Sequence, residues 1–369
     1  MNLIKELERL HDEKFVYPKD GGAFIPCDEL SDEQALCKRP LVSVHMMAYN
    51  HEKYIRQAIE SVMAQKTSFE YELVVGEDCS SDHTIEICRE LQKRYPRRIR
   101  ILWWKENVSR FGGNSQRILN KCRGKYIAFL EGDDYWLDEN KLQKQVSLIE
   151  ATDSVASVAY TRWDYPDGSI KYGCSPSAKF LTETDVVKYY YHTSTYVFNR
   201  EVFLQAKKIY SQIPLWYDTV MMHAMVKMGR ICVLPEIVSV YRITGKGIAS
   251  SNTERKYCLL RLDQRIPVYS VIADNDKILK LLRADIISTI RQIFAFGDFE
   301  SYRWVQTKKW ILLRIYVRAL FCMHLFDVSS VFNLATFRMV VRLLILFVHI
   351  RWLYSLVGRT DNGALKSAY

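Results

Sequence analysis

The stretch FLEGDDYW sets three carboxylates directly after an apolar run and just before two aromatic residues. They belong to Glu131, Asp133 and Asp134. Mg²⁺ and Mn²⁺ take oxygen ligands of this kind, commonly one or two carboxylates together with phosphate oxygens. Two more polar clusters, AYN with Tyr49 and GEDCSSD with Asp78, also follow apolar runs. The three clusters predict a site where a divalent cation bridges protein carboxylates and a diphosphate.

Strand and helix patterns alternate along the first part of the chain. PLVSVHMMAYN, YELVVGED, IRILWW and GKYIAFLEGDD read as strands, and the segments between them carry apolar residues at helical spacing. This order predicts an α/β fold with a Rossmann-like, mostly parallel sheet and helices on both faces. Ligands of such sheets bind outside the carboxyl ends of the strands, so the three clusters should converge on one crevice. No GxGxxG or GxxxxGK[ST] sequence is present to hold phosphates instead.

Each cluster also has an ordinary structural explanation when it is taken alone. An acidic loop after a strand is commonly solvated, Asp78 could end a turn or cap a helix, and Tyr49 could simply pack. Asp218, which precedes an apolar helical pattern, could be an N-cap. Their joint placement at the ends of successive strands is what favours a binding site.

Composition limits the class of protein. With 369 residues, 49% of them hydrophobic, the chain can bury cores for about two domains. The charged N-terminal stretch lacks an apolar run before a cleavage site, which predicts no secretory signal and a cytoplasmic protein. Nine scattered cysteines without a CxxC pair predict free thiols, and neither a disulfide framework nor a zinc site.

The net charge of +10 is concentrated at the C-terminal end. Residues 251–369 contain 18 Lys and Arg against 9 Asp and Glu, in a setting rich in Leu, Ile, Val and Trp. A nucleic-acid surface would be basic and polar, so we expect no nucleic-acid partner. The pattern divides the chain into an N-terminal helical or irregular extension (1–39), an α/β domain (40–250) and a helical C-terminal region (251–369).

Three motifs together carry a family resemblance: VSVHMMAYNHEKYIRQAIESVMAQ, ELVVGEDCSSDHT and GKYIAFLEGDDYW. In this order and spacing they resemble the family 2 inverting glycosyltransferases with the GT-A fold, in the bacterial branch that builds surface polysaccharides. The resemblance covers about residues 40–250. It implies a nucleotide-diphosphate-sugar donor such as a UDP-sugar, Mn²⁺ or Mg²⁺ as cofactor, and transfer of one sugar to an acceptor hydroxyl with inversion.

The resemblance also implies roles for particular residues. Tyr49 would lie against the nucleobase, and Asp78 would accept a hydrogen bond from the base. Glu131 would lie near the ribose and the metal, Asp133 would bind the metal, and Asp134 would support or share that role. The further nucleotide-sugar contacts that we expect are Asn50, Glu52, Asn114, Arg117 and Gly132.

The second half of the domain extends the resemblance. HTSTYVFNREVF is similar to a return strand beneath the acceptor site, and the segment that begins IPLWYDTVMM is similar to the helix with the catalytic acid. Asp218 would then be the general base, because an acceptor hydroxyl must lose a proton as it attacks the anomeric carbon. Trp136, Thr195 and Trp216 are expected on the acceptor side.

Three positions depart from the family pattern. Glu131 stands where Asp is commoner, which lengthens that side chain by one methylene. Thr244 stands where a His often follows the Tyr-Arg pair, so the contact from that His is in doubt. The loop before the fourth strand has GGNSQR instead of an Arg-Asn pair, and Asn114 or Arg117 would compensate.

Two C-terminal segments, KKWILLRIYVRALFCMHLF and ATFRMVVRLLILFVHIRWLYSLVGR, combine apolar runs with Arg at spacings of four. Their uninterrupted apolar stretches are shorter than the roughly 20 residues of a membrane span. They predict amphipathic helices on an anionic membrane surface, a peripheral location on the inner face of the plasma membrane, and a lipid-linked glycan acceptor. The alternative is a helical subdomain that packs on the α/β domain or forms a homodimer.

Two other functions remain open from the sequence. One is a catalytically silent scaffold that binds a sugar nucleotide, against which the intact Asp133 and Asp218 argue. The other is a sugar nucleotidyltransferase, which would need a Gly-rich basic loop where the sequence has MMAYNHEKY.

Overall fold

The computed structural model describes residues 27–108, 113–173, 179–211, 213, 218–244, 261, 264–265 and 268–295. In these residues, one mixed sheet is covered by helices on both faces. The strands are β1 (Cys27–Leu30), β2 (Val42–Ala48), β3 (Tyr71–Glu77), β4 (Ile99–Trp104), β5 (Tyr126–Phe129), β6 (Tyr135–Trp136), β7 (Ala156–Asp164), β8 (Ile170–Gly173), β9 (Val197–Asn199) and β10 (Ile231–Arg242). The helices are α1 (Ile55–Met63), α2 (Thr84–Arg94), α3 (Gly113–Lys121), α4 (Lys141–Thr152), α5 (Glu183–Lys188), α6 (Arg200–Ile209), α7 (Asp218–Met228) and α8 (Asp276–Ala295).

The strand order across the sheet is β1-β4-β3-β2-β5-β9-β7-β10-β6, and β8 pairs with β7. The neighbours β4, β3, β2 and β5 are parallel, as the sequence predicts. Beyond them β9 runs antiparallel to both β5 and β7, while β7 and β10 are parallel to each other. The described sheet is therefore a parallel half extended by a mixed half.

The core consists of two apolar layers, one on each side of the sheet. Successive residues of β3 point to opposite layers: Leu73 and Val75 pack with α1, α2 and α4, whereas Val74 packs with α3, α6 and α7. All seven residues of β3 are buried, because parallel strands covered on both faces present apolar side chains in both directions.

Helix α3 lies unusually close to β3, and a glycine makes this possible. A Cβ atom on Gly76 would lie 2.3 Å from Asn114 Oδ1 and 2.5 Å from Ile118 Cδ1. The Asn114 side-chain amide donates to the Gly76 carbonyl across 3.0 Å. Because Gly76 has no side chain, the first turn of α3 packs directly on the sheet.

The described part of the C-terminal region belongs to the same core. Val268, Ile272, Ile278 and Leu282 are buried in the layer that contains α6 and α7. For residues 268–295 this matches the predicted alternative of a helical segment packed on the α/β domain. The two amphipathic segments at 308–326 and 335–359 lie outside the described residues, and none of the described helices is long and apolar enough to span a membrane.

Candidate active site

The three polar clusters follow β2, β3 and β5, three parallel neighbours, and so share one edge of the sheet. Backbone hydrogen bonds connect them: Asp78 N–H donates to the Ala48 carbonyl across 3.0 Å, and Gly132 N–H donates to the Met47 carbonyl across 2.9 Å. The clusters converge, as the strand pattern predicts.

One wall of the cleft is built from the loops after β2 and β3. Asn50 adopts a left-handed backbone conformation with φ of 54°, and its side-chain oxygen accepts the Ser81 N–H across 2.8 Å. Glu52 N–H donates to Asp82 Oδ2 across 3.0 Å. Asn50 and Glu52 thus fix the loop, while Tyr49 keeps 45% of its surface exposed.

Asp78 is buried at the base of this wall. Its Oδ1 accepts the Val108 N–H across 2.7 Å, and its carbonyl accepts the Asn107 side-chain amide across 3.2 Å. The carboxylate therefore anchors the loop after β4. The predicted contact between Asp78 and the base stays a prediction.

Asn114 and Arg117 also lie in the interior. The Asn114 Oδ1 atom is buried and has no hydrogen-bond partner among the described residues. The Arg117 guanidinium lies 5.5 Å from the centroid of the Trp104 ring, a cation–π contact. Both positions support a role in shaping the cleft floor, and their contacts with a nucleotide sugar stay predictions.

The acidic cluster after β5 concentrates negative charge. Burial, followed by the charges of Asp133 and Asp218, raises the pKa of Glu131 to about 8. Asp218 comes from the start of α7, on the far half of the chain. The predicted base and the predicted metal ligands therefore belong to one electrostatic cluster.

Asp134 faces the protein interior. Its Oδ1 accepts the Arg242 backbone N–H across 2.9 Å, and its Oδ2 lies 3.7 Å from His192 Nε2 and has no hydrogen-bond partner among the described residues. Burial and the nearby charge of Asp133 raise the pKa of Asp134 well above its usual range. Asp134 connects the acidic loop to the end of β10, and its support of a metal stays a prediction.

Two residues next to Asp133 were not among the predicted site residues. His51 Nε2 lies 3.9 Å from Asp133 Oδ2, and the Arg242 guanidinium donates to the Asp133 carbonyl across 2.6 Å. The same guanidinium lies 4.3 Å from the Tyr135 ring centroid and donates to Gln57. Arg242 was visible as part of the Tyr-Arg pair, whereas His51 had no signal beyond following the AYN motif.

Asp218 begins α7 and is partly buried. Its Oδ1 accepts the Thr219 N–H across 2.7 Å. Burial raises the pKa of Asp218, opposed by a hydrogen bond from Tyr190 and by the charge of Arg265. Arg265 is held in turn by Asp285 of α8, with 3.1 Å between Nε and Oδ2.

The predicted acceptor-side residues have a different placement. Trp136 is buried and its indole N–H donates to the Ser194 carbonyl across 3.0 Å. Thr195 is also buried, and its hydroxyl donates to the His192 carbonyl across 2.8 Å. Both side chains hold the turn before β9, and their predicted place on the acceptor side stays a prediction. Trp216 lies outside the described residues.

The carboxylate oxygens of Glu131 and Asp133 are suitable ligands for a divalent cation. No group of three or more His, Cys, Asp or Glu side chains in the described ranges is arranged as a ready metal site. Mg²⁺ and Mn²⁺ do not need one, because one or two carboxylates and substrate phosphates complete their coordination. Burial and the neighbouring charges of Asp133 and Asp218 raise the pKa of Glu131 to about 8, and a cation beside Asp133 would offset the part due to charge.

Comparisons with known proteins agree with this geometry. Residues 43–203 match the model of glycosyl transferase family 2. An uncharacterized protein of Mycobacterium tuberculosis is 32% identical over 227 residues, which is 58% of this chain and 62% of that protein. The chain thus spans less than two thirds of that relative.

Two solved structures are similar in fold. Staphylococcus aureus TarS, in complex with UDP-GlcNAc, has a TM-score of 0.55 at 16% identity and covers 75% of this chain and 82% of its own. A mannosyltransferase of Pyrobaculum calidifontis, in complex with GDP-Man and Mn²⁺, has a TM-score of 0.50 at 15% identity. The match covers 88% of this chain and 99% of the mannosyltransferase chain. The strand order and these neighbours show the GT-A fold, and residues 43–203 of the chain match glycosyl transferase family 2.

Proposed function

We propose that the protein is a metal-dependent inverting glycosyltransferase that moves one sugar from a nucleotide-diphosphate sugar to a hydroxyl of a lipid-linked glycan. The observation that carries this proposal is the convergence of the polar clusters after β2, β3 and β5 at one side of the sheet. The charge of Asp218 also acts on Glu131, which supports a base near the proposed metal ligands.

The donor would bind along the edge formed by β2, β3 and β5. The exposed Tyr49 ring offers a stacking surface for a base, and Asp133 with Glu131 would hold Mn²⁺ or Mg²⁺. When bound, the cation supplies electrostatic stabilisation of the departing diphosphate. The nucleotide sugars in complex with TarS and the mannosyltransferase support a donor of this class.

Asp218 would take the proton of the acceptor hydroxyl. A carboxylate whose pKa is raised by burial is a better base than an ordinary one. From the start of α7, Asp218 would act on the side opposite the diphosphate, which would give inversion at the anomeric carbon. The Thr219 N–H holds the carboxylate, and the Tyr190 hydroxyl would help to orient it.

The acceptor and the location rest on the chain's charge distribution. Residues 251–369 contain 18 basic and 9 acidic residues, and this positive charge supports contact with anionic lipids at the inner face of the plasma membrane. A lipid-linked glycan in surface-polysaccharide assembly would be presented there.

The donor arm of the test is a thermal-shift screen of UDP-, GDP-, dTDP- and CDP-sugars with and without Mn²⁺. We expect one nucleotide class to stabilise the protein in a Mn²⁺-dependent way, and Asp133→Asn to lose that dependence. Asp167→Asn, in an exposed turn, is the matched control.

The catalytic arm uses Asp218→Asn. We expect retained donor binding, with turnover to a pyranoside acceptor lower by on the order of 10²–10⁴-fold, because the proton has no acceptor. Full turnover by Asp218→Asn, or full Mn²⁺-dependent activity by Asp133→Asn, would contradict the assigned roles.

A further inference from the structure

An aromatic group lies beside Asp218, on the half of the sheet that the donor does not occupy. Trp163 at the end of β7 contacts Tyr190 and Tyr241 edge to face, with ring centroids 6.1 Å and 5.6 Å apart. Tyr241, at the end of β10, stacks on His192 at 4.2 Å. Edge-to-face contacts hold such rings in fixed positions.

This aromatic group is open to solvent. Tyr190 has 46% of its surface exposed, and Trp163 and Tyr241 are only partly buried. A fixed, partly exposed aromatic surface beside a polar group is typical of a ligand site, since apolar walls with a few polar groups bind and orient small molecules.

The exposed ring is connected to the proposed base. The Tyr190 hydroxyl lies near enough to the Asp218 carboxylate to lower its pKa, while 46% of the Tyr190 surface is exposed. A molecule that rests on the ring therefore lies next to the group that would remove its proton.

The strand order sets the distance from the donor. The proposed base contact follows β2, the proposed metal carboxylates follow β5, and Trp163 is the second-last residue of β7, with β9 between β5 and β7. Three strand spacings separate the ends of β2 and β7, about 14 Å in total. With the base beside β2 and the diphosphate beside the carboxylates after β5, the aromatic group would come next along the same side of the sheet.

We propose that Trp163, Tyr190 and Tyr241 form the acceptor subsite, and that it takes a pyranose ring of a glycan. The C–H face of a pyranose is flat and apolar and packs on aromatic rings, while its hydroxyl groups need polar partners at the rim. The Asp218 carboxylate supplies such a partner. This inference rests on the proposed function and places acceptor recognition on residues other than Trp136 and Thr195.

The test measures acceptor binding separately from donor binding. The probes are methyl glycosides of glucose, galactose, mannose and N-acetylglucosamine, with glycerol as the non-pyranose comparison. Trp163→Leu and Tyr190→Ala should each raise the acceptor KM by about tenfold, the factor expected for loss of one aromatic contact. Their Mn²⁺-dependent thermal shift with the nucleotide sugar should equal that of the wild type.

Two further variants are informative. One distinguishes the contribution of the Tyr190 ring from that of its hydroxyl, and the other is a control outside the proposed subsite. Tyr190→Phe keeps the ring, so it should keep the acceptor KM and lower kcat. Tyr172→Ala is the matched control, because Tyr172 pairs with Arg162 and so projects from the face of β7 opposite Trp163. It should leave both constants unchanged.

The outcomes distinguish the two proposals. Failure of the proposed function would appear as a wild-type protein that binds no nucleotide sugar. The inference alone is overturned if donor binding is intact but Trp163→Leu and Tyr190→Ala retain the wild-type acceptor KM. It is also overturned if glycerol is used as readily as the glycosides.

Discussion

Replacing Glu131 by Gln should stabilise the metal-free protein by an amount that depends on pH. Burial and the charges of Asp133 and Asp218 raise the pKa of Glu131 from 4.5 to about 8. For an acid whose pKa is raised on folding, the contribution to stability is fully present below the unfolded pKa and is lost as the pH rises through the folded pKa. Gln does not ionise, so the variant avoids that loss.

The size of the effect follows from the two pKa values. The difference between 4.5 and about 8 corresponds to roughly 5 kcal/mol once Glu131 is fully ionised. Ionisation of Glu131 lowers the free energy of unfolding by about 3 kcal/mol at pH 7 and by about 1 kcal/mol at pH 5. The advantage of Glu131→Gln should therefore grow by about 2 kcal/mol between pH 5 and pH 7.

Urea unfolding of both proteins in a chelator at pH 5, 6 and 7 measures this directly. Glu86→Gln is the control, because the Glu86 side chain is 62% exposed and should show no comparable trend. Excess Mn²⁺ should reduce the gain, since a cation offsets the charge that Glu131 carries. A stability difference between the two proteins that is the same at all three pH values, whatever its sign, would refute the electrostatic reasoning.

Two other substitutions test how the fold supports the site. Gly76→Ala should destabilise the protein by about 1–3 kcal/mol in urea unfolding and weaken donor binding, because a methyl group would overlap Asn114 and Ile118. If the variant has wild-type stability, α3 does not pack on β3 as described. Arg265→Gln removes a charge that lowers the pKa of Asp218, so the acidic limb of the kcat/KM profile should move to higher pH. Arg261→Gln, which also loses a contact with Asp285, should leave that limb in place, and equal profiles for all three proteins would contradict the assignment.

The parallel half of the sheet could be predicted from the sequence. Its strands are apolar runs of four to seven residues, and polar motifs mark their carboxyl ends. Because the carboxyl ends of parallel strands share an edge, Tyr49, Asp78 and Asp133 could be brought together before any coordinates were known.

The mixed half could not be predicted in the same way. β6 and β9 contain two and three residues, too few to show a periodicity, so their pairing with β10 and with β5 and β7 had no local signal. Burial of Trp136 and Thr195 depends on that pairing. The contacts among Trp163, Tyr190 and Tyr241 join distant parts of the chain, and only the fold reveals them.

The antiparallel strand β9 has a consequence for motion. It bonds to β5 on one side and to β7 on the other, so the two halves of the sheet share one uninterrupted backbone ladder. A hinge between the halves would have to break that ladder. Opening and closing around substrates is therefore a task for the loops at the strand ends, and product release should follow loop kinetics.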